Sequence, residues 1–268
     1  MKEPSAIIAL LSDLGTKDFF VGAMKGEILK INPRATIVDI SHNLPKFNCW
    51  TASFVLAQAT KSFPPGSIFV VVVDPGVGSC RKCVLLETRS GHYFIAPDNG
   101  VLTLVIKEFG KKSVREIRNR ALMAKHVSHT FHGRDIMAPV AAHLSLGAKP
   151  EEVGPEIDEL ELLPVRRVKK ERNRIIGSVV HIDDFGNIVT NIPEAMIDLN
   201  PGEKVKVRVN GKEVHAMFGL TFCDVSAGEY VCFVGSTGFL EFSKNQDNAA
   251  SDLKVKVGDE FVLVGVSE

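Results

Sequence analysis

The chain has 268 residues, with 32 lysines and arginines balanced by 32 aspartates and glutamates. This balance, and the lack of any block of like charges, predicts no nucleic-acid surface and no charged interaction tail. The length permits one large domain or two smaller ones, and the hydrophobic share of 45% is ordinary for a globular protein.

Neither the N-terminal apolar run nor the cysteines indicate export. The run from Ala6 to Leu11 is too short for the core of a signal peptide. No stretch approaches the roughly 18 consecutive apolar residues that a membrane helix requires. The five cysteines are odd in number and scattered along the chain, which argues against a disulfide framework. We therefore expect a cytoplasmic protein without a membrane partner.

The first part of the chain alternates short apolar strands with helical patterns. Strands are predicted at residues 6–12, 36–40 and 67–74, and helices at residues 20–31 and 50–61. The third strand is an unbroken β-branched run, typical of a strand buried on both faces. A hairpin at residues 83–96 and helices at residues 101–109 and 136–146 follow. This order predicts an α/β domain over residues 1–165 with a mainly parallel central sheet.

The pattern changes after residue 150. Residues 150–173 are rich in Glu, Pro, Arg and Lys and predict a linker. Closely spaced strands follow, at residues 175–182, 204–209, 213–217, 230–234, 239–243 and 260–264. Asn210-Gly211, between two alternating runs, is a strong hairpin signal. We therefore predict a small all-β, barrel-like domain over residues 172–268.

Aspartates lie at or near the ends of the predicted strands of the α/β domain. Asp13 closes the first strand, Asp39 lies near the end of the second, and Asp74 closes the third. Ligands of open α/β sheets bind outside the carboxyl ends of the strands, so these carboxylates are candidates for a site. A single Asp after a strand more often only caps the next turn. Asp74 is the stronger candidate because Pro75-Gly76-Val77-Gly78 turns the chain sharply behind it and lets the backbone approach a ligand.

Two spacings resemble metal-binding motifs but lack the context of a metal site. His126, His129 and His132 are three residues apart, yet β-branched and aromatic neighbours favour an extended segment, in which the first two point to opposite faces. Cys80 and Cys83 have the spacing of half a zinc site, but no second pair accompanies them. We therefore predict no metal and no resident cofactor.

Two polar segments are dense in side chains suited to chemistry. Residues 130–135 place His132, a glycine, a guanidinium and a carboxylate just before a helix, where an anionic group would be stabilised. In the second domain, Asp183 and Asn187 suit ammonium and amide-like groups, and Phe185 offers a stacking face. The alternative interpretations are that His132 is a hydrogen-bonded core histidine and that the segment from Asp183 to Asn187 is only a polar turn.

Seven motifs in register resemble one family, the S-adenosylmethionine hydrolases (hydroxide adenosyltransferases), which are relatives of the fluorinating and chlorinating adenosyl enzymes. The motifs are Ser12-Asp13-Leu14-Gly15-Thr16, Val38-Asp39-Ile40-Ser41-His42, Asp74-Pro75-Gly76-Val77-Gly78, Ala96-Pro97-Asp98-Asn99-Gly100, Phe131-His132-Gly133-Arg134-Asp135, Asp184-Phe185-Gly186-Asn187 and Gly235-Ser236-Thr237-Gly238-Phe239. The resemblance covers nearly the whole chain. It implies an α/β domain followed by a β-barrel, S-adenosylmethionine as substrate, and a homotrimer with the site at the subunit interface.

The resemblance also implies roles for individual residues. Asp13 matches the ligand of the ribose diol, and Phe47 lies near the aromatic wall over the nucleoside. Asp183 matches the residue that grips the methionine ammonium, with Ser236 nearby. The adenine pocket is matched by Asn187, Phe222 and residues 245–249, which begin at Asn245 and end at Ala249.

The branch of the family that uses water carries an Asp, an Arg and a His, which here are Asp74, Arg81 and His132. The hairpin at residues 88–93 also lacks the long insertion of the fluorinating members. Both features imply attack of water on the ribose C5′ carbon, with either Asp74 or His132 acting on the water and Arg81 keeping Asp74 ionised. The alternatives are a halide-dependent adenosyl transferase and a non-catalytic adenosine- or S-adenosylmethionine-binding protein.

Overall fold

The computed structural model describes residues 4–265. Contacts within the chain divide it between Leu163 and Pro164 into two compact units, called here the N-terminal and the C-terminal unit. None of the helices that the structure describes is long and apolar enough to cross a membrane.

The N-terminal unit is an α/β fold with a six-stranded sheet in the order β2-β1-β3-β5-β4-β6. Its strands are β1 (Ile7–Ser12), β2 (Thr36–Ser41), β3 (Ile68–Val72), β4 (Cys83–Thr88), β5 (Tyr93–Pro97) and β6 (Lys111–Glu116). Its helices are α1 (Phe20–Ile31), α2 (Cys49–Thr60), α3 (Thr103–Phe109) and α4 (Ala138–Ser145). The first four strands of this order run parallel, whereas β4 is antiparallel to β5 and to β6. The predicted mainly parallel sheet is confirmed.

The sheet separates two apolar cores, and β3 is buried on both faces because its side chains enter both of them. Ile68, Val70 and Val72 belong to the core that also contains side chains of α1 and α4. Phe69 and Val71 belong to the other core, together with side chains of α2 and α3. This alternation follows from the two-residue period of a strand and explains why its sequence is apolar without interruption.

Two elements of this unit differ from the sequence prediction. The edge strand β6 was not predicted, because only Val114 of its six residues is buried and the rest are mostly polar. The helix predicted at residues 136–146 is preceded by a π-helical turn, Gly133–Met137, before regular α-helix begins at Ala138. Such a turn inserts one residue into the helical hydrogen-bond pattern and is common next to functional residues.

The C-terminal unit is a closed seven-strand barrel, as predicted. Its strands are β7 (Lys169–Glu171), β8 (Arg174–Ile182), β9 (Ile188–Pro193), β10 (Lys204–Val209), β11 (Lys212–Phe218), β12 (Tyr230–Val234), β13 (Phe239–Lys244) and β14 (Glu260–Gly265). Seven of these strands form the barrel, in the order β14-β10-β11-β12-β13-β9-β8, which closes through the pairing of β14 with β8. The eighth, β7, lies outside the barrel and pairs with β8. A short helix, α5 (Ala249–Leu253), was not predicted. The predicted turn at Asn210-Gly211 joins β10 to β11, and both residues have positive φ, as a type I′ turn requires.

Leucines in two helices allow a matched test of the core. Leu56 in α2 is 0% exposed, whereas Leu29 in α1 is 44% exposed. We expect Leu56→Ala to lower the free energy of unfolding by about 2–5 kcal/mol, because it leaves a cavity, and Leu29→Ala by less than about 1 kcal/mol. Urea unfolding of both variants measures the difference. Equal losses would contradict the placement of α2 against the sheet.

Candidate active site

Two predicted site carboxylates of the N-terminal unit, Asp13 and Asp74, lie where β1 and β3 end. Ser12, the last residue of β1, pairs with Val72, the last residue of β3. Asp13 follows directly, and Asp74 follows two residues after the end of β3. Two carboxylates therefore come to the same edge of the sheet, as the parallel order of these strands requires.

Asp74 and Arg81 form a buried, two-pronged ion pair. The Nε atom of Arg81 donates to Oδ1 of Asp74 at 2.7 Å, and its Nη2 atom donates to Oδ2. Only 6% of the Asp74 side chain and 10% of the Arg81 side chain are exposed. The other terminal nitrogen of Arg81, Nη1, donates to the Lys82 carbonyl at 2.8 Å and to the Cys83 sulfur at 3.1 Å. These bonds fix the guanidinium plane and, with it, the Asp74 carboxylate.

The loop between the two members of this pair is held by close backbone packing. Gly78 has φ of +80°, and a Cβ atom at this position would lie 2.5 Å from the carbonyl oxygen of His129. The predicted need for glycine in this turn therefore has two causes, the positive φ and the approach of the segment that leads to His132.

His132 completes the group through its Nδ1 atom, which lies 3.1 Å from Nη2 of Arg81. A guanidinium only donates, so Nδ1 accepts and the neutral imidazole carries its proton on Nε2. Partial burial and, secondly, the charge of Arg81 lower the pKa of His132. The imidazole is consequently neutral at pH 7, with an Nε2–H group available as a donor.

The turn that carries His132 is fixed by its neighbours in the sequence. A Cβ atom on Gly133 would lie 3.0 Å from a Val72 side-chain carbon, so the π-helical turn packs tightly on β3. The buried carboxylate of Asp135 accepts hydrogen bonds from both the backbone and the hydroxyl of Ser128, at 2.9 and 2.7 Å, and from Arg134 at 2.6 Å. Arg134 and Asp135 therefore hold this segment in place.

Among the described residues, the Asp13 carboxylate is held through one of its two oxygens. The backbone N–H of Phe47 donates to its Oδ2 atom at 2.8 Å, and the Lys46 ammonium donates to its carbonyl oxygen. Phe47 itself has φ of +64° and a side chain that is 69% exposed. A bulky residue in the left-handed region costs about 1–3 kcal/mol, and such strain is concentrated at functional sites. The strained backbone thus aims one N–H at Asp13 and leaves the ring of Phe47 on the surface.

Two residues of this edge received no role from the sequence, although Asn99 lies in one of the seven motifs. Asn99 donates from its side-chain amide to the carbonyl of Val73 at 2.9 Å and so holds the backbone just before Asp74. Cys49, the first residue of α2, has a raised pKa because of burial and the negative charges of Asp13 and Asp74.

The C-terminal unit has its own polar turn between β8 and β9. The carboxylate of Asp183 accepts from the backbone N–H groups of Phe185 and Asn187 at 3.0 and 2.8 Å, and from the Asn187 amide at 2.8 Å. Gly186 has φ of +86°, and a Cβ atom there would overlap the Asn248 side chain at 2.1 Å. Its carbonyl also accepts from the backbone N–H of Ala250, so the turn is fastened to α5. The ring of Phe185 is 79% exposed.

The remaining predicted binding residues of this unit differ in exposure. Ser236 lies exposed in the turn between β12 and β13, and the Phe222 ring packs edge-on against Phe233 at 4.9 Å. Asn245 is buried and donates from its side chain to the Val225 carbonyl at 2.8 Å, whereas Ala249 is the fully buried first residue of α5. Asn245 and Ala249 are therefore structural residues at the two ends of the loop before α5. Glu241, which sequence reasoning did not single out, has a pKa raised by burial and by the charge of Asp183.

Among residues 4–265, no group of three or more His, Cys, Asp and Glu side chains is arranged to hold a metal ion. Fold and site together define an enzyme with an α/β domain, a β-barrel domain and an Asp–Arg–His group at the carboxyl edge of a parallel sheet. The family model described as SAM hydroxide adenosyltransferase N-terminal domain matches residues 8–154, and the model of the C-terminal domain matches residues 177–262. The chain belongs to the SAM hydroxide adenosyltransferase family.

Named relatives and a solved structure agree with this membership. The chain is 38% identical to the (R)-S-adenosyl-L-methionine hydrolase of Methanocaldococcus jannaschii, over 96% of this chain and 95% of that protein. A fluorinase from Nocardia brasiliensis is more distant, at 29% identity over 94% of each protein. An uncharacterized conserved protein from Thermotoga maritima has a crystal structure that matches with a TM-score of 0.93 and 45% identity, over 96% of this chain and 99% of that chain.

The contact between Arg81 and His132 predicts a specific titration behaviour. The charge of Arg81 disfavours the imidazolium, so replacing Arg81 by Met should raise the pKa of His132 relative to that of the unmodified protein. NMR titration of the His132 ring protons measures this without relying on activity. An unchanged or lower pKa of His132 in the variant would contradict the geometry.

Proposed function

We propose that the protein hydrolyses S-adenosyl-L-methionine to adenosine and L-methionine. The observation that carries this proposal is the group at the carboxyl edge of the sheet in which the buried Asp74–Arg81 ion pair contacts the half-buried His132. Several relatives are named (R)-S-adenosyl-L-methionine hydrolase, which supports the choice of substrate and of water as nucleophile.

The reaction is an in-line displacement at the ribose C5′ carbon. The oxygen of a water molecule forms a bond to C5′ while the bond from C5′ to the sulfonium sulfur breaks, and its electron pair stays on sulfur as neutral methionine. The water loses one proton and becomes the 5′ hydroxyl of adenosine. The sulfonium is already an excellent leaving group, so alignment of water and substrate is the main task, worth up to about 7–11 kcal/mol in well-oriented reactions.

The geometry divides the roles of the three residues. Both oxygens of Asp74 accept from Arg81, which keeps the carboxylate charged while its remaining lone pairs can accept a hydrogen bond from the water. His132 accepts from Arg81 at Nδ1, so its Nε2–H is left to donate to the oxygen of the same water. We therefore assign the proton-accepting role to Asp74 and the orienting role to His132.

Binding of the substrate is assigned to residues of both units. Asp13 would accept hydrogen bonds from the two ribose hydroxyls, with the ring of Phe47 against the nucleoside. Asp183 would bind the methionine ammonium, with Ser236 nearby for the methionine end. The adenine would lie against Asn187, Phe222 and the loop that contains Asn245 and Ala249.

We further propose a cytoplasmic homotrimer with the site at the interface between subunits. The exposed rings of Phe47 and Phe185 support an interface, because large exposed aromatic side chains commonly mark surfaces that a partner or ligand covers. The scattered cysteines, all of which are free thiols, agree with a reducing compartment.

Incubation of the purified protein with S-adenosylmethionine, with and without chloride, tests the proposal. Chromatography should show adenosine and methionine in equal amounts without halide. Asp74→Ala and His132→Ala should each lower kcat by about 10²–10⁴, the usual contribution of a positioned acid or base. Asp198→Ala, at an exposed ion pair of the C-terminal unit, should leave kcat unchanged.

Two outcomes would overturn the proposal. Formation of 5′-chloroadenosine in the presence of chloride, with no adenosine in its absence, would identify a halide-using enzyme. No product, together with a rise in melting temperature on addition of adenosine, would identify a binding protein.

A further inference from the structure

A chain of four polar side chains links the ends of β1 and β2 beside Asp13. The hydroxyl of Ser12 lies 2.7 Å from Nδ1 of His42, and Nε2 of His42 lies 3.1 Å from Oδ1 of Asp39. Lys25 donates to Oδ2 of Asp39 at 2.6 Å. Ser12 is 0% exposed and His42 is also buried, whereas Asp39 and Lys25 reach the surface.

The charged end of this chain fixes one hydrogen-bond direction. The backbone N–H of Leu14 donates to the Ser12 oxygen at 3.3 Å, and the same oxygen lies 2.7 Å from Nδ1 of His42. A carboxylate only accepts, so Nε2 of His42 donates to Asp39, and in the tautomer with its proton on Nε2 alone, Nδ1 accepts from the Ser12 hydroxyl. Although burial opposes ionisation of Asp39, hydrogen bonds from Lys25 and His42 lower its pKa, so a charged acceptor ends the chain.

His42 holds the turn that contains Asp13 from both sides. Its imidazole binds the side chain of Ser12, the residue before Asp13. Its backbone carbonyl accepts from the N–H of Gly15, two residues after Asp13, at 2.7 Å. The Ser12 oxygen also binds the N–H of Leu14. Ser12 and Gly15 thus bind His42 directly, and Leu14 is linked to it through Ser12.

The orientation of the Asp13 carboxylate depends on its turn because the carboxylate itself makes few hydrogen bonds. Phe47 donates to Oδ2, and among residues 4–265 no hydrogen bond reaches Oδ1. The free oxygen is the one that a ligand hydroxyl could use. A small rotation of the turn would move it away from such a hydroxyl, since a displacement of about 1 Å is costly at an oriented site.

We propose that His42, through Ser12, is a positioning residue that sets the geometry with which Asp13 binds the ribose hydroxyls, an inference that rests on the proposed function. Although Ser12, His42 and Asp39 occur in the order of a catalytic triad, Ser12 does not act as a nucleophile. Its residue is 0% exposed, so its hydroxyl contacts His42 inside the protein and is not accessible to a ligand. His42 therefore acts on the substrate only through Asp13.

The preference for ribose hydroxyls separates positioning from general stability. Calorimetric titration with adenosine and with 2′,3′-dideoxyadenosine gives the ratio of the two dissociation constants. In the unmodified protein this ratio should favour adenosine strongly. His42→Ala should lower the ratio about three- to tenfold, the range expected for losing one hydrogen bond to the ligand. Binding of 2′,3′-dideoxyadenosine, which lacks the hydroxyls, should stay the same.

Two further variants provide a partial rescue and a control. His42→Asn, whose amide oxygen can accept from Ser12 near the position of Nδ1, should recover part of the ratio. His92→Ala is the matched control, because His92 is also buried and hydrogen-bonded, to Ser90 at 2.9 Å and the Phe63 carbonyl at 3.1 Å, but lies at the opposite edge of the sheet. It should leave the ratio unchanged. If His42→Ala does not fold, Ser12→Ala is measured in its place with the same expectation.

The outcomes distinguish this inference from the proposed function. If the unmodified protein prefers adenosine and His42→Ala and Ser12→Ala keep the full preference, the positioning role of His42 is wrong while Asp13 remains the ribose ligand. If the unmodified protein binds both nucleosides equally, the ribose assignment of Asp13 is wrong, and the inference falls with it.

Discussion

The proposed reaction depends on one physical constraint, which is that the Asp74 carboxylate stays charged at the edge of an apolar sheet. Moving a charged group out of water costs several kcal/mol unless a partner and hydrogen bonds compensate it. Arg81 supplies both, because its planar group binds both oxygens of Asp74 and its remaining nitrogen is held by Lys82 and Cys83. The same guanidinium fixes the tautomer of His132, so a single cation sets the state of the two groups to which the proposed mechanism assigns the water.

The fold serves this constraint through the parallel order of its central strands. Because β1 and β3 are neighbours and run in the same direction, Asp13 and Asp74 arrive at one edge although 61 positions separate them, 74 minus 13. The backbone near this edge is correspondingly unusual: Phe47 has positive φ, and a π-helical turn follows His132. Local strain of this kind is retained where the surrounding packing over-determines the geometry.

The sequence predicted the large features because they repeat a simple pattern. The uninterrupted apolar run of β3 indicated a strand buried on both faces, and the dense alternating strands after residue 174 indicated a barrel. The edge strand β6 was not predicted because only one of its residues is buried, and α5 was not predicted because five residues are too few to show a helical period. The contact of Arg81 with Asp74 and the chain from Ser12 to Asp39 join side chains 7 and 27 positions apart, and only the folded loops bring these together. For the same reason, the role of Arg81 could be suggested by family resemblance, whereas that of His42 required the structure.

The central claim is that water oxygen becomes bonded to the ribose C5′ carbon. Turnover of S-adenosylmethionine in ¹⁸O-enriched water, followed by mass spectrometry of both products, tests it directly. The account predicts one ¹⁸O atom in each adenosine, located in the 5′ hydroxyl, and none in methionine. Unlabelled adenosine, or label in methionine, would contradict it.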